Sequence, residues 1–183
     1  MTPSRIAVVG PVAAGKTTLS AAIADHTGLP RIDLDDLFWG PDWTPRAPAV
    51  FQRDVQEQLA GPAWIADGNY GGEVAELLLD RAELVVWLDL PLRVCLPRLV
   101  ARSWRRAASG EELFAGNRES LRHLLAPDSI LRWGPQHHHR HRHRWAERLH
   151  PDHAPGRDVL RLDRTCTVAT TLRLRDLLPQ KEN

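Results

Sequence analysis

The chain has 183 residues, a formal net charge of +1 and 43% hydrophobic residues, room for one domain with a sizeable core. No apolar run is long enough to span a bilayer, and the N-terminus "MTPSRIAVVG" lacks the basic-then-apolar layout of a secretory signal, so a cytoplasmic protein is expected. Cys95 and Cys166 lie in unrelated contexts, without CxxC or Cys/His spacing, and read as reduced thiols.

The near-neutral total hides a segregation. Residues 1–92 carry 13 acids against 6 bases, whereas residues 93–148 carry 5 acids against 12 bases, all arginine. Lysine occurs only as Lys16 and Lys181. A GC-rich genome accounts for an arginine excess but not for its clustering.

The first element, "RIAVV" (5–9), is a short β-branched apolar run and reads as a buried strand. The stretch after it, "GPVAAGKTT" (10–18), meets G-x-x-x-x-G-K-[ST] at every fixed position through Gly10, Gly15, Lys16 and Thr17. Glycines let such a loop curl with its N–H groups inward, and the next helix turns its positive end to the same place, so the expected guest is a phosphate chain. Lys16 would reach the β- and γ-phosphates, Thr17 would offer a hydroxyl to Mg²⁺, and Thr18 would face an α-phosphate oxygen. Leu19, Ala22 and Ile23 then share a helix face, and Gly28 ends the helix.

A short strand at 30–33 leads into "IDLDDLFW" (32–39), with Asp33, Asp35 and Asp36 at the same edge as the loop. Carboxylates there hold Mg²⁺ through water or take a proton from an attacking hydroxyl. The competing reading is a helix N-cap followed by solvated acids; Asp35 is the favoured functional residue. After a helix-length segment at 46–60, "WIADGNYGG" (64–72) ends an apolar run on Asp67, the layout of a second magnesium-directed acid. Gly68 stands where a backbone N–H can approach a transferred phosphoryl group, although Asp-Gly-Asn is also an ordinary turn. A helix at 73–80 and a strand at 84–90 follow, and Asp89 before Pro91 reads as a helix-start cap.

The segment 91–106 sets Arg98, Arg102, Arg105 and Arg106 at three- and four-residue spacings along one helix side. Arginine pairs with two oxygens of a phosphoryl group at once, which makes Arg102 and Arg106 candidates to face a nucleotide; a solvated face is the plainer alternative. Arg118 in "AGNRES" is the next candidate. Residues 107–156 read as a helix–lid–helix insertion over the ligand edge, with "SILRWGPQHHHRHRHRWAERLH" a long polar helix interrupted near Gly134 and Pro135. A continuous histidine run gives zinc no preferred ligand set, so a solvated, weakly basic helix is expected. A last strand lies at 158–163. Strands alternating with helices argue for a parallel sheet covered on both faces, in one domain over 1–183.

With "GPVAAGKTT", "IDLDDLFW", "WIADGNY" and "LVVWLDLP" in this order, the sequence resembles the adenylate-kinase-like P-loop proteins of the DNA topology modulation (FlaR-like) group, and "GNRES" and "ILRW" fit the same group. The similarity spans nearly the whole chain. It implies a three-layer α/β/α P-loop fold with a five-stranded parallel sheet in the order 2-3-1-4-5, a mobile helical lid, and a kinase that uses ATP and Mg²⁺. Carried over, Gly10, Ala13, Ala14, Gly15, Lys16, Thr17 and Thr18 would bind the ATP phosphates, and Thr17 and Asp67 would serve Mg²⁺, partly through water. Asp35 would serve the acceptor, Arg102 and Arg106 would be lid arginines, and Arg164 to Thr167 would lie beside the base. Adenylate kinases carry Asp-Gly-Phe-Pro-Arg where this chain has Asp67, Gly68, Asn69, Tyr70 and Gly71; the arginine that holds an AMP phosphate is missing, which speaks against AMP as acceptor. Phe38, Trp39, Trp43 and Tyr70, with Gly68 and Asn69 beside them, would instead frame an acceptor with a flat or apolar part. Trp64 and Trp87, inside strands, are expected in the core.

The leading expectation is a small-molecule or nucleotide kinase moving the γ-phosphoryl group of ATP to a hydroxyl or phosphate of an unidentified acceptor, as a monomer or homodimer. The alternative is a nucleotide-dependent regulatory or nucleic-acid-associated P-loop protein with slow hydrolysis. Its only support is the arginine-rich segment, and the near-neutral charge and lack of a recognised binding motif speak against a nucleic-acid partner.

Overall fold

The computed structural model describes residues 3–127, 129–153 and 158–163. Five parallel strands, β1 (Arg5–Val9), β2 (Arg31–Asp33), β3 (Trp64–Asp67), β4 (Leu84–Leu88) and β5 (Asp158–Leu162), form one sheet in the order β2-β3-β1-β4-β5. This is the order expected. Successive side chains of a strand point to opposite faces, so the apolar runs divide between two cores. Ala7, Val9, Trp64, Ala66, Val85 and Trp87 face one of them, while Ile6, Val8, Ile65, Leu84, Val86 and Leu88 face the other.

Helices α1 (Lys16–Thr27) and α5 (Leu92–Ser109) cover the second face through Leu19, Ile23 and the free thiol Cys95. The first face is covered by α3 (Pro48–Gln58) and α4 (Gly72–Arg81), through residues such as Phe51, Val55, Leu78 and Leu79. Two short helices, α2 (Leu34–Phe38) and α6 (Leu121–Leu125), and a long one, α7 (Ile130–Arg148), complete the order. Among the described residues no helix is long and apolar enough to cross a membrane.

Three expectations are corrected. Helix α7 runs unbroken through Gly134 and Pro135. A proline removes a backbone donor and strains the preceding turn, but packing fixes this helix in place: a Cβ at Gly134 would fall 2.8 Å from Val12 Cγ1 and 2.9 Å from Leu99 Cδ2. Nor is α7 a solvated helix, because Gly134, His138, His141 and Trp145 are buried along one side and only the opposite side faces water. Finally, α5 starts after Pro91 with no side-chain cap. Asp89 is instead a buried anchor, accepting hydrogen bonds from Arg142 of α7 at 2.5 Å and Arg161 of β5 at 3.0 Å. Burial alone would raise the Asp89 carboxyl, but these two guanidinium groups hold it below its ordinary value.

Register sets the site. Asp33 pairs with Asp67 across β2 and β3, and Val8 pairs with Asp67 across β1 and β3. Both carboxylates therefore emerge side by side at the carboxyl edge, beside the loop that follows β1. That edge is where open parallel sheets bind ligands.

Candidate active site

The loop between β1 and α1 is held in a curled form by left-handed backbone at Ala13 (φ 58°) and Gly15 (φ 101°). Gly10 is required twice over: its φ is 148°, and a Cβ there would lie 2.6 Å from the Leu88 carbonyl oxygen. Ala14 is buried, whereas Thr17 and Thr18 at the start of α1 are exposed. Lys16 Nζ donates to the Pro11 carbonyl at 3.2 Å, folding the side chain back over the loop. Burial pushes its ammonium below its ordinary value; the charges of Asp35, Asp67 and Asp33 oppose this, and that of Arg102 adds to it.

Asp67 is almost wholly buried, and its two oxygens have different work. Oδ2 accepts from Ser20 Oγ and, at 3.1 Å, from Arg31 Nε. Oδ1 faces the Thr17 hydroxyl at 3.3 Å. One oxygen is thus fixed by the fold and the other is paired with the P-loop hydroxyl, a donor set of hard oxygens that fits Mg²⁺. Arg31 also pairs with Asp33 at 2.8 Å. Asp33 is the helix cap considered above, accepting the Asp35 N–H at 3.0 Å. Burial first, then the charges of Asp67 and Asp35, raise its carboxyl to about 7.

Asp35 opens α2 and accepts the Tyr70 hydroxyl at 2.5 Å. Burial and the Asp35 charge push the Tyr70 phenol up, so it remains a donor. Tyr70 belongs to an aromatic cluster: its ring lies 5.1 Å from Phe38 and 4.8 Å from Phe51, and the series continues from Phe38 to Trp39 at 4.8 Å and from Trp39 to Trp43 at 5.6 Å. Asp35 and these rings form one wall. Gly68, beneath it, donates to the Val8 carbonyl at 3.4 Å, and a Cβ there would fall 2.8 Å from Leu34 Cδ1. Close packing on Leu34 already accounts for this glycine.

The arginines separate. Arg102 has no hydrogen bond or ion pair among the described residues and a buried, unpartnered Nε; burial lowers its guanidinium, as does the charge of Arg106, while Glu119, Asp35 and Glu111 oppose. Arg106 is engaged by Glu111 and Glu119, both at 3.5 Å. Arg118 is exposed and paired with Glu112 at 3.3 Å. Arg164 and Thr167 lie outside the described residues.

No family model matches the chain, and no curated protein does. Solved structures do. The chain is similar to a sugar kinase from a Janibacter species (22% identical, TM-score 0.57, 97% of each chain covered). It is also similar to a shikimate kinase from Bacteroides thetaiotaomicron (19%, TM-score 0.58, 96% of this chain and 98% of that one) and to a gluconokinase from Sinorhizobium meliloti (19%, TM-score 0.53, 94% and 89%). The fold is that of the small P-loop kinases. The likeness reaches that class of fold as a whole and does not single out the topology-modulation group.

On this P-loop kinase fold the histidine-rich helix α7 lies against the site. The indole N–H of Trp145 donates to Asn69 Oδ1 at 2.8 Å, and since an indole nitrogen can only donate, the Asn69 amide is oriented. Its Nδ2 then donates to His141 Nδ1, leaving His141 the Nε2–H tautomer. Burial, then the charges of Arg144, His137, Lys16 and Arg140, lower His141 to about 4. Sequence reasoning missed Ser20, Arg31, His141 and Trp145 as supports of the loop residues. Only the first two had a legible signal, since Ser20 lies one turn past Thr17 and Arg31 two residues before Asp33. Among the described residues no cluster of three or more His, Cys, Asp or Glu is arranged to hold a metal.

Proposed function

We propose that this chain is an ATP- and Mg²⁺-dependent kinase that moves the γ-phosphoryl group to a hydroxyl of a small molecule. The observation that carries the reading is geometric: the Thr17 hydroxyl, at the start of the helix after the phosphate loop, faces Oδ1 of the buried Asp67 at 3.3 Å, and Asp67 stands in register with Val8 and Asp33 at the carboxyl edge of the sheet. In this reading Lys16 is the phosphate-directed cation, Asp67 the metal-directed acid, Asp35 the base for the acceptor and Arg102 the arginine that answers the transferring charge. The solved structures of similar fold, described as sugar, shikimate and gluconate kinases, support an acceptor rich in hydroxyl groups.

In this reading the loop N–H groups and Lys16 draw charge from the β- and γ-oxygens. Thr17 and Asp67 Oδ1 would hold Mg²⁺, which would supply further charge neutralisation, with Asp67 kept in place by Ser20 and Arg31. Asp35 accepts the proton of the attacking hydroxyl, and Tyr70 fixes the carboxylate in position for that transfer. Arg102, free of protein partners among the described residues, answers the charge of the transferring group. The aromatic wall of Phe38, Trp39 and Tyr70 takes the apolar side of the acceptor.

The test is a screen with ATP labelled at the γ-phosphate against sugars, sugar acids and other hydroxylated metabolites. Transfer of label to one of them is the expected outcome. Hydrolysis stimulated only by DNA, RNA or a protein would replace this reading with that of a nucleotide-driven switch.

A further inference from the structure

Asn117 has no part in the chemistry proposed above, yet it is one of the few buried polar residues of the protein. It closes a small antiparallel turn: Glu112 bridges Arg118, and the Leu113 N–H donates to the Asn117 carbonyl at 2.7 Å. Its side chain reaches outward. Oδ1 accepts the Trp43 N–H at 2.9 Å, while Nδ2 donates to the Gly40 carbonyl at 2.8 Å and to that of Phe114 at 2.7 Å. One amide thus bonds the turn at 112–118 to the turn at 39–45, which carries Trp39 and Trp43.

Both turns hold non-glycine residues in left-handed backbone, Asp42 and Trp43 in one and Ala115 in the other. Such conformations persist only where surrounding bonds fix them. The turn at 112–118 is in turn gripped by Arg106 through Glu111 and Glu119. Hydrogen bonds of Asn117 followed by the ion pairs of Arg106 with Glu111 and Glu119 therefore link the aromatic wall to the α5 arm that carries Arg102 and Arg106.

We infer that Asn117 is a positioning residue that joins the acceptor wall at 39–45 to the arginine-bearing arm, so that the two shift as one body when the site fills. The names "acceptor wall" and "arm" rest on the proposed kinase reading; the bond itself does not. Truncating Asn117 leaves the Trp43 N–H and the Gly40 carbonyl without their partner, which releases both turns together.

Hydrogen exchange followed by mass spectrometry on the full chain tests this, with wild type, Asn117→Ala and Asn117→Asp. Calorimetry with Mg²⁺ and a non-hydrolysable ATP analogue runs in parallel. In the free protein Asn117→Ala should speed exchange about tenfold at both 39–45 and 110–118 while β1 and β4 stay protected, with Asn117→Asp intermediate because it keeps the acceptor for Trp43. With the analogue bound, wild type should gain protection in both segments, and Asn117→Ala only in 110–118. Retention of the analogue response at 39–45 in Asn117→Ala would reduce Asn117 to a local structural role and overturn the inference. So would faster exchange in one segment alone. If calorimetry detects no nucleotide, the kinase reading fails, and the free-state comparison still decides whether Asn117 joins the two turns.

Discussion

The hydroxyl of Tyr70 and Oδ1 of Asp35 lie 2.5 Å apart, a charge-assisted bond between the loop after β3 and the start of α2. It brings together two elements separated in sequence and fixes the carboxylate assigned to the acceptor. Tyr70→Phe keeps the ring contacts with Phe38 and Phe51 and removes only this bond. The expected result is a kcat about tenfold lower with nucleotide affinity unchanged, read by label transfer and calorimetry. An equal loss of nucleotide affinity would move Tyr70 from the acceptor side to the phosphate side.

Lys16→Ala tests the loop itself. A ligand that binds only the folded state raises the unfolding temperature in proportion to its binding free energy. Wild type should therefore melt higher with Mg²⁺ and ATP, and Lys16→Ala should lose that increment while keeping its ligand-free melting temperature to within a few degrees. Undiminished stabilisation in the variant would place the nucleotide elsewhere.

Much of this was legible from local patterns. The strand "RIAVV", the phosphate loop and the helix ending at Gly28 each follow from rules that act within a few residues, and the parallel sheet follows from the alternation of strands and helices, whereas its order was implied only by the family resemblance. Helix α7 was not. Its proline and its histidines suggest a broken, wetted helix, whereas the contact of Gly134 with Val12 and Leu99, which holds the unbroken helix in place, comes from distant parts of the chain. Asn117 illustrates the same limit: its partners stand more than seventy residues away, at Gly40 and Trp43, and no local spacing announces them. Asp67 lies between these cases, because its strand-end position is visible in sequence while its grip by Arg31 depends on the register of β2 and β3.

Removing the support of Asp67 should separate metal from nucleotide. Arg31→Ala leaves Asp67 Oδ2 with Ser20 alone and frees the carboxylate to turn from Thr17. The Mg²⁺ concentration for half-maximal nucleotide binding should rise several-fold, with less effect on nucleotide affinity at saturating Mg²⁺. Titrating Mg²⁺ at fixed nucleotide distinguishes this from a general loss of folding, which would lower affinity at every metal concentration.

Asp33 and His141 impose opposite pH dependences on stability. Asp33 is raised from 3.8 to about 7 in the fold, so the folded state holds its proton more tightly; its contribution favours folding at low pH and is lost as pH rises toward 7. His141 is lowered from 6.5 to about 4, so the unfolded chain takes the proton first; its contribution is intact above 6.5 and is lost as pH falls toward 4. Between those limits the two slopes partly cancel. Asp33→Asn keeps a good helix cap and should be more stable than wild type at pH 8, an advantage that shrinks and vanishes by pH 4, where the Asp33 carboxyl is protonated and as neutral as the amide. His141→Gln retains an acceptor for Asn69 and should lose stability relative to wild type at pH 7 but recover it at pH 4.5. Urea unfolding of the three proteins at pH 4, 4.5, 7 and 8, in metal-free buffer, gives the differences directly. Parallel pH curves for wild type and His141→Gln would show that burial and the neighbouring cations do not lower His141 in the folded protein.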